Sequence, residues 1–513
     1  MASRRDELNA YTFAKKRTVA QFLQPSPSGT EEGAPKPLRA VIPGMIIGAL
    51  VLAGFGAWGM FDPKAPKDWD KPGTKVIVGK QSTTRYVVLT TGKGKDKKTL
   101  LHPVLNLASA RLLLNPDDFK VIQVDDETLD EGKPPRGPIL GIPYAPDRLP
   151  GADDAGTAKR WAVCEQPGGG NGGTVQKATF LFAKRDLGRT ENSSKLKPGQ
   201  ILYVKGQKDS AQYLIDHTGT KYRVNEQAKG LTTALFGINK QPQQVTDDWL
   251  ATLHTGTPVD FPQIPGTVGA DAHVDGGLTQ AQDKVGMVLL AQTGSGPQHY
   301  VVLEGKVQPV SAFTAWLLIN SPQTNPLDMA GQAPAVDAAS LSPDTTAFAA
   351  DRRWPELKSG QINSIGVPGA RDTLCSVLER VGEKGATTLS TWAGTKYPAD
   401  ITAGGTSTYV TPGTGLLYTQ FQGSQSQPDG SLFLVTDTGL RYAVQANGDS
   451  DSGRSDIGTG DQKPTDGRPE PSDAQKRLGY EKVTPALVPL EWSEFLSKGP
   501  RLDTNSARQP QGS

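Results

Sequence analysis

Apolar and polar positions are distributed unevenly along this chain, and one uncharged stretch stands out. Residues 41–61 contain no charged side chain. As a helix, this stretch would reach about 31 Å, which is close to the thickness of a membrane's hydrocarbon core. A cleaved signal peptide usually has a shorter apolar region nearer the start of the chain. The pattern therefore favours an uncleaved transmembrane helix, whose apolar side chains include Val41, Ile42, Leu50, Phe55, Trp58 and Phe61.

The charges on the two sides of this stretch predict its orientation. Basic residues dominate before it, whereas Lys and Asp are mixed in the short segment after it. An excess of Lys and Arg holds a flanking segment on the cytoplasmic side. We therefore expect a single-pass protein of the cell membrane, with the N-terminal head in the cytoplasm and the large C-terminal body outside it.

The head combines apolar side chains with basic ones at roughly helical spacing over residues 4–24. This pattern predicts an amphipathic helix, which would either lie on anionic lipid or dock on a cytoplasmic partner. Both alternatives stay open at this point. Residues 25–37 are rich in Pro, Ser and Gly and are typical of a linker. The candidate docking residues are Tyr11, Phe13, Lys15, Lys16 and Arg17.

Beyond the apolar stretch, one pattern recurs four times at irregular intervals. Two short β-like runs are separated by a polar turn, and a helical stretch follows. The second run holds a basic residue or a His directly before a Tyr. We therefore predict four related modules, and their patterns start at Thr74, Gly199, Gly286 and Gly415.

The second and fourth modules agree further downstream. Each has a Gly-containing turn before a helix with a tryptophan, Trp249 or Trp492, and each ends in a Gly-x-x-apolar-Asp sequence. Tryptophans at such positions are typically core anchors, although stacking on a ligand is the alternative. Strand-turn-strand-helix modules of this size bury one sheet face under one helix.

Two cysteine-containing segments lie between the modules. The sequence WAVC ends at Cys164, and the sequence LCSV contains Cys375. The tripeptide GIP precedes the first segment, and the tripeptide GVP precedes the second. The order of module, cysteine segment and module thus occurs twice, which predicts a body with pseudo-twofold symmetry in which the two cysteine segments meet.

These patterns predict an α+β, β-rich fold with one transmembrane helix, followed by an elongated pseudo-twofold extracytoplasmic region. The predicted boundaries are a cytoplasmic amphipathic helix and linker at 1–40, the transmembrane helix at 41–61, module 1 at 72–135, a central β-rich domain in two parts at 136–197 and 351–412, module 2 at 198–265, module 3 at 279–350, module 4 at 413–503 and a flexible tail at 504–513.

The composition of the chain argues against several classes of function. The chain has 513 residues, 36% hydrophobic residues and a formal net charge of +2, so it lacks the basic excess that nucleic acid binding requires. It has two cysteines, and an oxidising exterior favours one disulfide over two free thiols. The five histidines are scattered without the spacing of metal ligands. We predict neither a metal site nor a cofactor.

Motifs for catalysis are missing from the sequence. The segment GKGKDKKT, residues 92–99, has Lys97 where a phosphate-binding loop needs its second glycine. The run GGGNGG, residues 168–173, precedes no helix start and is more typical of a flexible loop than of an anion site. There is no GxSxG and no CxxC motif. The sequence thus supports no catalytic residue.

Taken together, these motifs resemble the EccB family, the single-pass membrane component of bacterial type VII (ESX-type) secretion systems. The resemblance rests on LNAYTF at 8–13 with the basic residues 15–17 before a single span, NLASARLLL at 106–114, the GIP and GVP steps, and the two cysteine segments. It covers nearly the whole chain. The Gly-rich insert at 168 and the acidic stretch near 448 depart from the family pattern.

The resemblance implies a structural subunit that anchors and assembles a secretion machine for small helical substrates. It also implies partners, namely the EccC, EccD and EccE components and further copies of the same chain, besides the lipid bilayer. Four lysin-like repeat modules around a central β-rich domain held by a disulfide are the fold that it implies. A cell-wall-binding module is one alternative function. A nucleotide hydrolase is another, because ATP hydrolysis has been attributed to the family although no nucleotide site is visible here.

Overall fold

The computed structural model describes residues 3–23, 38–61, 65–91, 97–168, 174–382, 384–401, 407–423, 430–445 and 471–511, with the backbone alone for 23, 38–40 and 57–61. The predicted linker at 25–37 lies outside these residues, as do most of the Gly-rich run at 168–173 and most of the acidic stretch near 448. The chain divides into two compact units. One comprises residues 1–69, 79–82 and 122–133, and the other comprises 70–78, 83–121 and 134–513.

The first unit contains α1 (Arg4–Leu23), α2 (Leu38–Phe61) and the short helix Asp126–Asp130. The Asp126 carboxylate accepts hydrogen bonds from the backbone N–H groups of Gln81 (2.8 Å) and Ser82 (3.3 Å). The hydrogen bonds from Ser82 and Gln81 lower the pKa of Asp126. Lys80 pairs with Asp125 at 3.1 Å, so the turn after residue 79 is fixed by charge and hydrogen bonding.

Five sheets make up most of the remaining structure, and four of them form around a meander of three consecutive strands. In the first sheet the order is β3-β2-β1-β4, and its strands are β1 (Lys75–Gly79), β2 (Arg85–Thr91), β3 (Lys98–Val104) and β4 (Lys120–Val124). In the third sheet the order is β14-β13-β12-β15, and its strands are β12 (Val288–Thr293), β13 (Gly296–Leu303), β14 (Lys306–Val310) and β15 (Ala335–Val336).

The second and fourth sheets have a parallel strand on each side of the meander. The second sheet has the order β10-β7-β8-β9-β11, with β7 (Gln200–Gly206), β8 (Gln212–Ile215), β9 (Thr220–Arg223), β10 (Gln243–Val245) and β11 (His254–Thr255). The fourth has the order β23-β20-β21-β22-β24, with β20 (Leu416–Phe421), β21 (Leu432–Val435), β22 (Leu440–Ala443), β23 (Ala486–Pro489) and β24 (Ser497–Lys498). A further strand, β16 (Gly360–Gln361), pairs with β7.

The fifth sheet joins strands from distant parts of the chain, and we call it the disulfide sheet. Its order is β18-β17-β5-β6-β19, with β5 (Arg160–Gln166), β6 (Gln176–Phe182), β17 (Thr373–Val381), β18 (Thr387–Gly394) and β19 (Thr408–Val410). Strands β5 and β17 are antiparallel neighbours. Nearly every residue of β5 and the first six residues of β17 are buried, as in a sheet that is covered on both faces.

Short helices accompany the meanders, and several of them begin at a hydrogen-bonding side chain. Asn106, Thr246 and Ser311 each accept a hydrogen bond from a backbone N–H of the helix that follows, which satisfies one of its unpaired donors. The helices are α3 (Leu107–Leu113), α4 (Asp126–Asp130), α5 (Ala152–Ala155), α6 (Leu231–Phe236), α7 (Asp247–Ala251), α8 (Ala312–Ile319), α9 (Asp473–Arg477), α10 (Leu490–Ser493) and α11 (Thr504–Ala507).

Two expectations from the sequence differ from the structure. The predicted flexible tail at 504–513 contains α11 and is hydrogen-bonded through Gln511, because Ala507 and Thr504 are buried in the core. The second difference concerns the basic residue directly before a Tyr, which was predicted in the second run of each pattern. Arg85 lies in the second strand of its meander, whereas Arg441 lies in the third strand of its own. A dipeptide pattern cannot separate these positions, since both strands are short and half-buried.

Candidate functional site

The disulfide sheet is the candidate functional site, because distant parts of the chain meet there. Cys164 and Cys375 are directly paired residues on β5 and β17, and a disulfide joins them across 211 residues of sequence. Both cysteines are fully buried. Their side chains lie on the face of the sheet that also carries Phe180 and Trp392. The bond therefore fixes two remote strands as neighbours.

The opposite face of this sheet packs against both the second and the fourth sheets. Trp161 and Val163 belong to one apolar core together with Trp249 of α7 and Trp492 of α10. The two helix tryptophans are almost completely buried, as expected for core anchors. Burial of a tryptophan side chain contributes several kcal/mol, by order of magnitude. The disulfide sheet is thus a shared support for the second and fourth sheets.

A buried carboxylate makes the contact with the second sheet. Glu165 follows Cys164 on β5, is fully buried, and accepts hydrogen bonds from the backbone N–H of Thr246 at 2.8 Å and from the Thr246 hydroxyl. The Thr246 oxygen also accepts the N–H of Trp249 at 3.3 Å. The indole N–H of Trp249 donates to the carbonyl oxygen of Val163 at 2.9 Å. Strand β5 therefore holds the start of α7 at two points.

Burial raises the pKa of Glu165, although the hydrogen bonds from Thr246 oppose this effect. Lys177 and Asp248 lie nearby as an ion pair at 3.1 Å, and their charges act on Glu165 in opposite directions. Lys177 also lies over the ring of Phe495, 5.5 Å from its centre. The carboxylate is therefore a titratable group inside a structural contact.

A cluster of charged residues ties the segment before the second sheet to the disulfide sheet. Arg160 on β5 pairs with Glu379 on β17 at 2.6 Å, and Lys195 pairs with both Glu379 (2.9 Å) and Glu191 (3.0 Å). Burial would raise the pKa of Glu379. Hydrogen bonds from Ser390 and Lys195 and the charge of Arg160 outweigh burial and lower it. The cluster is an ion-pair network that joins two strands of the disulfide sheet to residues 191–195, which is typical of a structural role.

The fourth sheet presents a different contact. Tyr418 on β20 meets Trp161 edge to face, with 5.8 Å between ring centres. Its hydroxyl shares a 2.7 Å hydrogen bond with Ser493, whose oxygen accepts from the buried Arg441 guanidinium at 2.6 Å. Thr179 on β6 donates to the carbonyl oxygen of Phe495 at 3.4 Å. Burial raises the pKa of Tyr418, so this phenol stays neutral.

A glycine packs on a tyrosine ring in the same way at the second and fourth sheets. A Cβ atom added to Gly256 would overlap the ring of Tyr222, and one added to Gly499 would overlap the ring of Tyr442. These glycines begin the Gly-x-x-apolar-Asp sequences. The sequence shows that the glycine is repeated. The structure explains why it is glycine, because a side chain at either position would overlap the tyrosine ring.

The geometry offers no assembled chemical centre among the residues that the structure describes. Within them, no group of three or more His, Cys, Asp or Glu side chains could hold a metal ion. The histidines occur at separate places. His102 contacts the carbonyl oxygen of Pro138 at 2.9 Å, and His254 contacts the hydroxyl of Thr387 at 2.7 Å.

The predicted docking residues lie on α1, and Tyr11 and Phe13 are 69% and 58% exposed. The residues of the predicted span lie on α2, where the side chains of Trp58 and Phe61 fall outside the described part of the chain. Across the residues described, no helix has both the length and the apolar character needed to cross a membrane. The span therefore stays a prediction, as do the docking roles of Lys15, Lys16 and Arg17.

Glu165 and Thr246 were not singled out by the sequence analysis. One signal was present: Glu165 is a charged residue within the apolar run WAVCEQ, and a charge in a buried strand requires a partner. The partner could not be found from the sequence, since Thr246 lies 81 residues away.

Comparison with known proteins identifies the family. The family model described as type VII secretion system ESX-1, transport TM domain B, matches residues 1–512. The chain belongs to this family. Relatives of this EccB-family chain include the ESX-3 secretion system ATPase EccB3 of Mycolicibacterium smegmatis, which is 28% identical over 79% of this chain and 75% of the relative. The ESX-1 secretion system ATPase EccB1 of Mycobacterium tuberculosis is 24% identical over 79% of each chain.

Solved structures agree with this EccB-family fold. A chain of the intact ESX-5 inner membrane complex matches with a TM-score of 0.56 and 19% identity over 100% of this chain and 96% of its own length. The EccB3 dimer of the ESX-3 core complex matches with a TM-score of 0.54 and 24% identity over 85% of this chain and 99% of its own. At these identities the likeness establishes the mixed, β-rich fold.

Proposed function

We propose that this chain is a structural, membrane-anchored subunit of a type VII secretion complex. The observation that carries the proposal is the family match over residues 1–512, which includes the head, the apolar stretch and the whole body. The solved chains with the same fold are described as parts of ESX inner membrane and core complexes. A body built of sheets on a disulfide-linked support, with ion pairs around that support, suits a scaffold.

The proposed topology places the basic head in the cytoplasm and the body outside, with residues 41–61 as the span. Charge asymmetry supports this orientation. One solved neighbour is described as a periplasmic assembly from the ESX-5 inner membrane complex. Cysteines introduced at Arg17 and at Ile238, which is 77% exposed, test the orientation with a membrane-impermeant maleimide on intact cells. We expect labelling at 238 alone; labelling at 17 would reverse the topology.

The body, in this proposal, consists of four repeat modules around the disulfide sheet. The shared order of meander strands in four sheets supports it, as does a parallel partner for the first meander strand in the second, third and fourth sheets. A single span leading into such a body would give the complex a rigid extracytoplasmic part.

The proposed partners are the EccC, EccD and EccE components, the bilayer and further copies of this chain. The exposed aromatic side chains of α1 support docking of the head. Replacement of Tyr11 and Phe13 by Ala in the full-length chain should lower co-purification of the other components. Thr18→Ala is the matched control, because its hydroxyl bonds to the Ala14 carbonyl oxygen of its own helix. Undiminished recovery of the double variant would contradict the docking role.

A second candidate function is nucleotide hydrolysis, which the description of the related EccB3 and EccB1 proteins as ATPases favours. The sequence has no phosphate-binding loop, so this candidate requires an unrecognised site. ATP turnover by the purified full-length protein tests it, with a preparation lacking the chain as the control. Turnover that follows the protein through every purification step would support hydrolysis, and turnover that separates from it would exclude hydrolysis.

A further inference from the structure

Two junctions between modules are built on one plan. Helix α8, beside the third sheet, packs on α6 beside the second, and α3 beside the first sheet packs on α9 beside the fourth. At one junction the Tyr222 hydroxyl lies 3.4 Å from the carbonyl oxygen of Arg353, and at the other the Tyr442 hydroxyl lies 3.5 Å from that of Tyr144. Arg353 and Tyr144 both have positive φ, at 50° and 62°. The two junctions are therefore structural counterparts.

The junctions differ in how the chain connects them. The second and third sheets are consecutive in sequence, so residues 256–287 link them covalently. The first and fourth sheets are far apart in sequence. Arg111 donates to the carbonyl oxygen of Leu478 at 2.9 Å across 367 residues, and Arg477 donates to that of Leu114 at 2.6 Å across 363 residues. Noncovalent contacts alone close this second junction.

The segment Asp503–Gln511 lies at the position of the missing link. Helix α11 packs on α3, and Ala507 is completely buried in the core shared by the first and fourth sheets. Pro510 forms a bridge with Leu140, which itself pairs with Val104 at the end of β3. Gln511 donates its backbone N–H to the Ile139 carbonyl oxygen at 2.9 Å.

We propose that Asp503–Gln511 is a clasp that holds the first sheet on the fourth, and that this junction can open while the junction of the second and third sheets stays closed. A helix of four residues has no independent stability in water, so the clasp is ordered only while it is docked. Segments held by few buried side chains open at low free-energy cost. Because the first sheet follows the apolar stretch in sequence, the clasp would control how the body is coupled to the membrane anchor.

Hydrogen exchange by mass spectrometry on the purified full-length protein tests this proposal. Ala507→Arg inserts a long charged side chain into a fully buried position and should release the clasp. We expect about tenfold faster exchange in α3 and in residues 136–142. Helix α8, the counterpart of α3 at the covalently linked junction, should exchange as in the wild type and serves as a reference within the same molecule.

Two further variants keep the experiment decisive. Gln509→Arg adds the same side chain to an exposed position of the clasp and should leave exchange in α3 unchanged. Deletion of residues 504–513 removes the clasp without a buried charge and should reproduce the effect of Ala507→Arg. Unchanged exchange of α3 in the deletion variant would overturn the proposal, and so would equal acceleration in α3 and α8.

Discussion

The second and fourth sheets share a strand order, a buried tryptophan and a tyrosine packed on a glycine, yet they attach to the disulfide sheet differently. At the second sheet, Glu165 binds Thr246, the residue that begins α7. At the fourth sheet, the residue before α10 is Pro489, whose side chain has no hydroxyl group and forms no hydrogen bond. The contact there consists of Tyr418 against Trp161 instead.

This difference distinguishes two groups of residues. One group forms the core beside each of the two sheets, and the other attaches the sheet to the disulfide sheet. Glycine, tyrosine and tryptophan recur because the second and fourth sheets each use them to close their own cores. The docking residues differ because the second and fourth sheets meet different residues of the disulfide sheet. The titratable docking group, Glu165, belongs to the second sheet's contact alone, so pH should affect the two attachments unequally.

Loss of the disulfide should have the largest effect and should disturb both attachments. In the chain-entropy model, a bond across 211 residues stabilises the folded state by about 5 kcal/mol. We expect the Cys164→Ala, Cys375→Ala double variant to lose a free energy of unfolding of that order in urea titrations. The wild type measured with reductant is the control and should show the same loss. Selective exposure of α7 or α10 in hydrogen exchange would contradict a common support.

Trp249→Ala and Trp492→Ala should each cost about 3–5 kcal/mol of unfolding free energy, since each empties a large volume in the same core. Trp249→Phe keeps most of the packing but loses the hydrogen bond to the Val163 carbonyl oxygen, so about 1 kcal/mol is expected. Circular dichroism during denaturation measures all three. A cost below about 1 kcal/mol for either alanine variant would show that the tryptophan is no anchor.

Gly256→Ala and Gly499→Ala should cost a similar amount, about 1–3 kcal/mol each, because the new methyl group meets a buried tyrosine ring in both modules. Gly188→Ala is the matched control, as nothing lies within 4 Å of its added Cβ. Thermal unfolding of the three variants provides the measurement. Clearly unequal costs at 256 and 499 would break the equivalence of the two modules.

Glu165→Gln should have the smallest effect on the free energy of unfolding, below about 2 kcal/mol. The size of this effect should depend on pH. The pKa of Glu165 is raised by burial, so its protonated form is favoured by folding. Its contribution is complete below the unfolded-state pKa and is lost as pH rises through the folded-state pKa. The Gln variant should therefore gain on the wild type as pH rises towards neutrality. Denaturation at several pH values measures this, and a constant difference would rule out titration of Glu165.

Much of the architecture could be predicted from the sequence because it depends on local patterns. The two cysteine segments and the repeated Gly-x-x-apolar-Asp sequences marked strands and turns that the structure contains. The prediction of a flexible tail at 504–513 was wrong for a physical reason. Residues 504–511 are polar and short of apolar side chains, so their order comes from docking on α3 and Leu140 rather than from their own sequence.

The sequence by itself determined the membership of the family, the number of cysteines and the alternation of strands and helices, since these follow from residue type and spacing. Only the tertiary structure decided which residues meet. Glu165 with Thr246, Tyr222 with Gly256 and Gln511 with Ile139 are contacts between residues distant in sequence. Such contacts depend on how the sheets pack, and packing depends on the shape of whole surfaces rather than on any local pattern.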